Sequence, residues 1–404
     1  MTKEQLLLLD MMKLALKNQK LYELPSEPVN WTDLWNEACD QTVRILFCDV
    51  LSPVQEQLTQ IFPQMEDCML QAMSLLYQNA QMEAAQAELV TVLEQISCPY
   101  VILKGQVAAS YYPAPSLRQL GDVDFLVPED RTQTIADAMI SRGYAHSWEP
   151  GDYHQVLTKS SVQMEMHTEV AGMPDRDGRT VIEEFMRSIY EQKQTIRADA
   201  ADFQAPGEAH HALIQILHMQ HHVEEYGLGL RQVIDWSCFV DRTLDHPFWP
   251  SFLELLKQVG LHRFTAVMTK MSAMYLGSTC PDWAAYVEED LCTDMMHDIM
   301  SGGNFGRKDK NRIRSASMLP DWESEKSEGK VKRMFGALRT NILSKHPEME
   351  HQPVRMAGHM LYRMGRFAVL YIQGKRPNLI KAASIAEDRK SIYERLRMYE
   401  TEEE

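Results

Sequence analysis

Helical periodicity at both ends of the chain, with strand signals confined to a stretch between them, predicts an α+β protein: a small strand-bearing core flanked by large helical regions. Residues 1–95 read as helical throughout, residues 97–200 alternate strand and helix signals, and helical spacing returns from Ala209. The expected divisions are an N-terminal helical region (1–96), a core (97–205), a helical region lining a cleft (206–300), and a C-terminal loop and helical region (301–404).

Each element has its own warrant. Leu6–Leu9 is bracketed by Lys3, Glu4 and Asp10, with Lys13 close behind, so it reads as an amphipathic helix. The run is too short for a signal sequence or a membrane span. Thr32 is a good N-cap for a helix from Asp33 to Leu51, with Leu34, Ala38, Val43, Leu46 and Val50 as its stripe and Pro53 beyond. A long helix from about Asp67 to Ile96 follows, expected to pack beside the sheet and help enclose the active site. Strands are expected at 100–104 and 122–127, a helix at 129–142, and a strand pair at 153–158 and 162–168. Val107–Tyr112 can begin a short helix that Pro113 and Pro115 end. Gly227–Trp236 opens another helix, and Arg231 and Asp235, spaced i,i+4, can pair. Ser301–Gly306 is a glycine-rich loop without the lysine and Ser/Thr of a P-loop. A polar loop at 316–330 precedes a helical end in which Arg355, Arg363 and Arg366 interleave with Met and aromatic residues.

Composition narrows the function classes. The chain has 404 residues, 45% of them hydrophobic and 24% charged, as in ordinary globular proteins. Its net charge of −16 argues against nonspecific nucleic-acid binding, which needs many lysines and arginines against phosphates. Charge is uneven: Arg307–Arg314 is basic and Glu400–Glu404 acidic. Seven cysteines, an odd number without a CxxC pair, suit reduced thiols in a cytoplasmic protein.

The chemistry concentrates in Gly121-Asp-Val-Asp-Phe-Leu-Val127. Side chains two apart in a strand share a face, so Asp122 and Asp124 project together. Adjacent carboxylates repel unless neutralised, and Mg²⁺ (or Mn²⁺) is the usual partner. Upstream, Tyr100–Gln106 reads as a buried strand ending in Lys104-Gly105, where glycine permits a close phosphate approach and lysine a charge contact. Arg118, four residues before Asp122, is placed for a second phosphate contact. Downstream, Ser161–Thr168 alternates Gln163, Glu165 and His167 against Val162, Met164 and Met166, which makes Glu165 a candidate third acid of a two-metal site. Plainer readings stand beside these: Lys104 as a surface lysine, Arg118 pairing with Asp122 or Asp124, Glu165 as an exposed strand residue, His167 orienting a carboxylate. His218 and His222, spaced i,i+4 in a histidine-rich helix, could hold zinc, though the sequence places no third ligand.

Lys104-Gly105, a tyrosine-proline segment, Arg118, Asp122-Val-Asp124, Gly143-Tyr144 and Glu165-Met-His167 together resemble an uncharacterised bacterial nucleotidyltransferase family within the polymerase-beta-type superfamily. The resemblance is closest over 98–170 and looser at Asn30-Trp31 and at Gly229–Arg231 with Asp235. It implies a small mixed sheet flanked by helices, with Asp122 and Asp124 as metal ligands and Glu165 as the third acid. It implies a nucleotide held by Lys104, Gly105, Gln106 and Arg118. It also implies that His218 or His222 faces a cleft, with His167, Arg231 and Asp235 as further candidates. The wider superfamily carries Gly-Gly or Gly-Ser in the first loop; Gln106 here leaves less room for a triphosphate.

The expected activity is transfer of a nucleoside monophosphate from an NTP, ATP being the expected one, to the hydroxyl of a small-molecule or protein acceptor, with release of pyrophosphate. The alternative is a catalytically inactive nucleotide- or partner-binding protein on the same fold. No membrane partner is expected.

Overall fold

The computed structural model describes residues 1–148, 154–174, 178–225, 227–309 and 379–398, together with isolated positions between 312 and 362. The 316–330 loop, Arg363, Arg366 and the acidic Glu400–Glu404 end lie outside the described residues. Among the described residues no helix is long and apolar enough to cross a membrane.

The N-terminal region is helical because its apolar residues recur at helical spacing. Helix α1 (Lys3–Leu16) starts at a capping box between Thr2 and Gln5 and buries Leu8, Leu9, Met11, Met12 and Ala15. The helix expected over Asp33–Leu51 is two helices, α2 (Trp31–Asp40) and α3 (Arg44–Leu51). Asn30, not Thr32, caps α2 by accepting from the Asp33 N–H. The break falls at Thr42, whose φ is +57°. Tertiary bonds stabilise it: the buried Gln41 amide donates to the Ile299 carbonyl and accepts from the Leu230 N–H. Helix α4 (Gln55–Ile61) leads into α5 (Met65–Gln95), a buried stripe from Met65 and Cys68 through Ala72 and Leu75 to Leu89 and Leu93.

Strand β1 (Val101–Ile102) is shorter than expected, although the Leu103 N–H still bonds the Asp124 carbonyl. A four-residue helix, α6 (Gln106–Ala109), precedes β2 (Val123–Leu126). Next come α7 (Thr132–Ile140), β3 (Ala145–Ser147), β4 (His154–Lys159) and β5 (Val162–His167). The sheet order is β1-β2-β5-β4-β3, with β2 and β5 parallel and the other pairs antiparallel. This is the small mixed sheet of an α+β protein. Helix α8 (Arg179–Met186) and a two-stranded ribbon, β6 (Gln194–Ile196) with β7 (Phe203–Ala205), complete this region; β3 and the ribbon carried no sequence signal strong enough to read.

The helical half comprises α9 (Glu208–Glu225), α10 (Leu230–Thr243), α11 (Trp249–Gln258), α12 (His262–Leu276), α13 (Asp282–Ala285) and α14 (Glu289–Gly302), with a further helix at Leu379–Leu396. One apolar cluster, including Val123, Phe125, Met164 and Met166, fills one face of the sheet against the second half of α5. A larger cluster joins α1–α3 to α9–α14. Each fully buried Leu or Phe contributes roughly 1.5–3 kcal/mol. The alternation that sends Val123 and Phe125 into the first cluster sends Asp122 and Asp124 to the opposite face, toward the helical half.

Candidate active site

Parallel pairing of β2 with β5 sets Asp124 directly beside Glu165. Asp122, Asp124 and Glu165 each offer a carboxylate oxygen within 4.8 Å of the others. The three acids singled out in the sequence thus gather at one point on the cleft-facing side of the sheet. Hard oxygen donors at this spacing fit a divalent ion such as Mg²⁺ or Mn²⁺.

Asp124 is the centre of the cluster. It is 3% exposed. Its Oδ1 accepts from the Lys104 ammonium at 3.2 Å and meets His167 Nε2 at 3.0 Å. Burial alone raises its pKa, but the Lys104 charge and the His167 hydrogen bond outweigh it and hold the group well below the usual carboxylate range. Asp122 goes the other way. The charge on Asp124, then burial, raise it to about 6, against the opposing pull of Lys104. The two acids therefore hold their protons unequally: Asp124 gives its proton up more readily than an ordinary carboxylate, and Asp122 keeps its own to about pH 6. On Lys104, burial works against the charge, but Asp124 and Asp122 more than offset it and keep the ammonium protonated.

The segment between Lys104 and Asp122 is tied from two sides. Gly105 has φ +63°, a conformation that favours glycine. The helix that follows has only four residues. Gln106 turns away from the cleft and accepts from the Gln86 amide at 2.9 Å, so its size does not narrow the cleft. Asn79 of α5 donates to the Arg118 carbonyl at 2.8 Å and accepts from the Leu120 N–H at 2.9 Å.

Arg118, expected near a phosphate or beside Asp122 or Asp124, instead makes a buried two-pronged bridge to Asp235, Nε to Oδ1 at 2.8 Å and NH2 to Oδ2 at 2.7 Å. Tyr112 donates to the same Oδ1 at 2.7 Å. The expected Arg231–Asp235 pair does not form; Arg231 reaches across to the Gln119 carbonyl at 3.0 Å. The planar fork of Arg118 matches a carboxylate and fastens α10 to the loop before Asp122.

A cleft of about 300 Å³ opens over Asp122 and Asp124, lined with them by Lys104 and Gly105 on one side and by Arg118, Arg231 and Asp235 on the other. Helix α9 contributes His211, Gln215 and His218. Burial pushes His211 down to about 3, and burial with the Lys104 charge holds His218 well below its ordinary value, so these rings line the cleft uncharged. His218 Nε2 lies 2.9 Å from His222 Nε2, and the pair is joined by no third ligand among the described residues. His222 lies behind it, its ring against Phe305 at 4.8 Å.

Sequence reasoning missed the rest of the rim. Thr42 and Arg44 enter the cleft through the α2–α3 break, and Asn304, Phe305 and Arg307 through the loop after α14. Phe305 is exposed, on left-handed backbone with φ +57°. No local pattern marks these residues, because they reach the cleft through long-range packing. His154 was missed although a signal existed. A two-residue turn at Ser160–Ser161, with Ser160 at φ +54°, fixes the hairpin register that sets His154 opposite His167.

Residues 27–277 match the sequence profile of a family described as "Uncharacterised nucleotidyltransferase". That span is more than half of the chain, and the protein belongs to this family. No curated protein matches. Among solved structures, a match is the crystal structure of an antigenic nucleotidyltransferase-like protein from Paracoccidioides brasiliensis, at 12% identity and a TM-score of 0.30, covering 51% of this chain and 96% of that one.

Proposed function

We propose that this member of the uncharacterised nucleotidyltransferase family is a divalent-metal-dependent enzyme that transfers a nucleoside monophosphate from an NTP, ATP by preference, to an acceptor hydroxyl. The observation that carries the reading is the convergence of Asp122, Asp124 and Glu165, from two adjacent parallel strands, on one point of the cleft. Asp122 and Asp124 would hold the metal, Mg²⁺ or Mn²⁺, with Glu165 completing the donor set. The ion supplies charge neutralisation at the phosphates and orients the reacting groups. Lys104 and the Gly105 backbone hold the triphosphate from the sheet side. Arg231 and Arg44 face it from the helical side. Arg118 acts indirectly, positioning the Asp122 loop through Asp235. In the transfer, the acceptor oxygen bonds to the α-phosphorus as the bond to pyrophosphate breaks, and the acceptor proton passes to a carboxylate of the cluster. Residues 97–205 form the catalytic core in this reading, while 1–96, 206–300 and the loop after α14 build the acceptor side. All seven cysteines are free thiols, which supports a reducing, cytoplasmic setting.

One observation favours a second reading. Lys104 sits 3.2 Å from Asp124 and supplies the positive charge a metal would bring. A protein that binds nucleotide through this pair without turnover has the same cleft. Calorimetric titration of Mn²⁺ and a non-hydrolysable NTP, run beside a pyrophosphate-release assay over a panel of hydroxyl acceptors, separates the two. Metal-dependent nucleotide binding that is lost in Asp122→Asn/Asp124→Asn is expected for the enzyme, and nucleotide binding without added metal for the second reading. Pyrophosphate release supports the enzyme, whereas binding to the double variant with wild-type affinity sinks the metal assignment.

A further inference from the structure

The acid cluster is flanked by donors of a different kind. His154 and His167 are direct cross-strand partners on β4 and β5, with ring centroids 5.2 Å apart. Glu165 Oε2 lies 3.7 Å from Nε2 of each ring. The three ligand atoms fall within 4.8 Å of one another, and Asp124 Oδ1 is 3.0 Å from the same His167 nitrogen.

We propose that His154, Glu165 and His167 form a second cation position, closed by Asp124 and selective for a divalent transition-metal ion, which shares Glu165 and Asp124 with the all-oxygen position of Asp122, Asp124 and Glu165. The proposal rests on the metal reading above for the shared acids, and adds a site with different donors and a different preference.

Donor chemistry carries the selectivity. Imidazole nitrogens suit Zn²⁺, Co²⁺ and Ni²⁺, whereas Mg²⁺ prefers oxygen and keeps its waters. Bonds of about 2.0–2.2 Å place the donors of a tetrahedral site roughly 3.3–3.6 Å apart. The 3.7 Å separations are already close to that spacing, so small side-chain rotations complete the site. The ligands stand on paired strands, which fixes their backbones. His167 Nδ1 is buried without a partner, so no bond on that side locks the tautomer. Its Nε2 bonds Asp124 as the structure stands, and becomes a ligand when the ring proton resides on Nδ1. His154, with a side chain 34% exposed, gives the ion a path from solvent.

Cobalt tests this directly, since its visible absorption reports the ligand set. Co²⁺ and Mg²⁺ are titrated into the full chain as wild type, His154→Ala, His154→Gln and Asp122→Asn, with thermal melts as the fold check. Wild type should bind Co²⁺ with visible bands. Both His154 variants should bind it at least tenfold more weakly with altered bands, melt normally, and keep Mg²⁺-dependent NTP binding. Asp122→Asn should keep the Co²⁺ spectrum. Unchanged Co²⁺ affinity and spectrum in the His154 variants overturn the proposal. Co²⁺ binding that follows His154 in a protein showing no Mg²⁺-dependent NTP binding leaves this site standing and removes the transfer reading instead.

Discussion

The cleft has two unlike walls. On the sheet wall, polar partners are local: Asp124 is bonded by Lys104 and His167, and Glu165 accepts from Gln163 at 2.9 Å. On the helical wall, positive groups gather from distant segments. Arg44 Nε and Arg231 Nε are buried and lack a partner among the described residues, and Arg307 stands beside an exposed Phe305. A buried donor left unmade costs about 1–3 kcal/mol, more for a charged group. The sheet wall thus finds its partners within neighbouring strands, while its three acids still leave excess negative charge. In the proposed function, the nucleotide phosphates would meet these helical-wall donors. The proposed function thus puts the chemistry on one side of the cleft and recognition on the other.

Breaking the sheet wall should have the largest effect. Asp124→Asn removes the carboxylate that faces Lys104, His167 and the proposed metal at once. Turnover should fall on the order of a thousandfold, as when a preorganised electrostatic contact is lost, with the melting profile checked in parallel. Cutting the joint between the walls comes next. Arg118→Leu leaves the buried Asp235 without its cation and with only the Tyr112 hydroxyl, and should cost about 3–5 kcal/mol in urea-unfolding stability while the three acids stay chemically intact. A variant of wild-type stability would show that the bridge does not hold the walls together. Trimming the helical wall should be milder. Arg44→Ala should weaken NTP or tripolyphosphate affinity about tenfold to a hundredfold by calorimetry, the size of one charge-assisted bond, without changing the metal dependence. Equal affinity would move the anion elsewhere.

The smallest expected effect is a pH dependence that sharpens the contrast between Asp122 and Asp124. Asp122 is raised to about 6 by the Asp124 charge and burial, with Glu165 adding to the rise and Lys104 and Arg231 opposing it. A carboxylate raised on folding binds more protons in the native state. Its contribution to stability is therefore full below about pH 4 and is lost as pH rises through 6. Metal affinity should run the opposite way and increase between pH 5 and 7 as Asp122 loses its proton. Asp122→Asn should flatten both trends in a melt series and a Mn²⁺ titration. Trends that persist in the variant assign the titration to another group.

The sheet wall was legible because strand alternation is a local code. It paired Asp122 with Asp124 and sorted Glu165 from Met164 and Met166 before any contact was known. Arg118 was misplaced for a physical reason: its partner Asp235 lies 117 residues away, and no local spacing can choose between that acid and the nearby Asp122. The helix read across 33–51 had the right apolar stripe. It breaks because Gln41 and Thr42 answer to α10 and α14, which propensity does not see. Long-range assembly likewise hid Arg44, Phe305 and Arg307, while the hairpin turn that could have exposed His154 was available in the sequence.

The Gln41 side chain bears on the order in which the molecule is made. Its amide bonds Leu230 and Ile299, sequence separations of 189 and 258, and Gln5 reaches the Met300 carbonyl across 295 residues. Residues at α1 and just after α2 are thus satisfied by carbonyls that lie more than 250 residues further along the chain. The sheet, by contrast, closes its parallel pair over a short loop of chain and can form early. Docking of the N-terminal helices is therefore complete only once α14 has been made, and until then chaperone capture or aggregation competes with it.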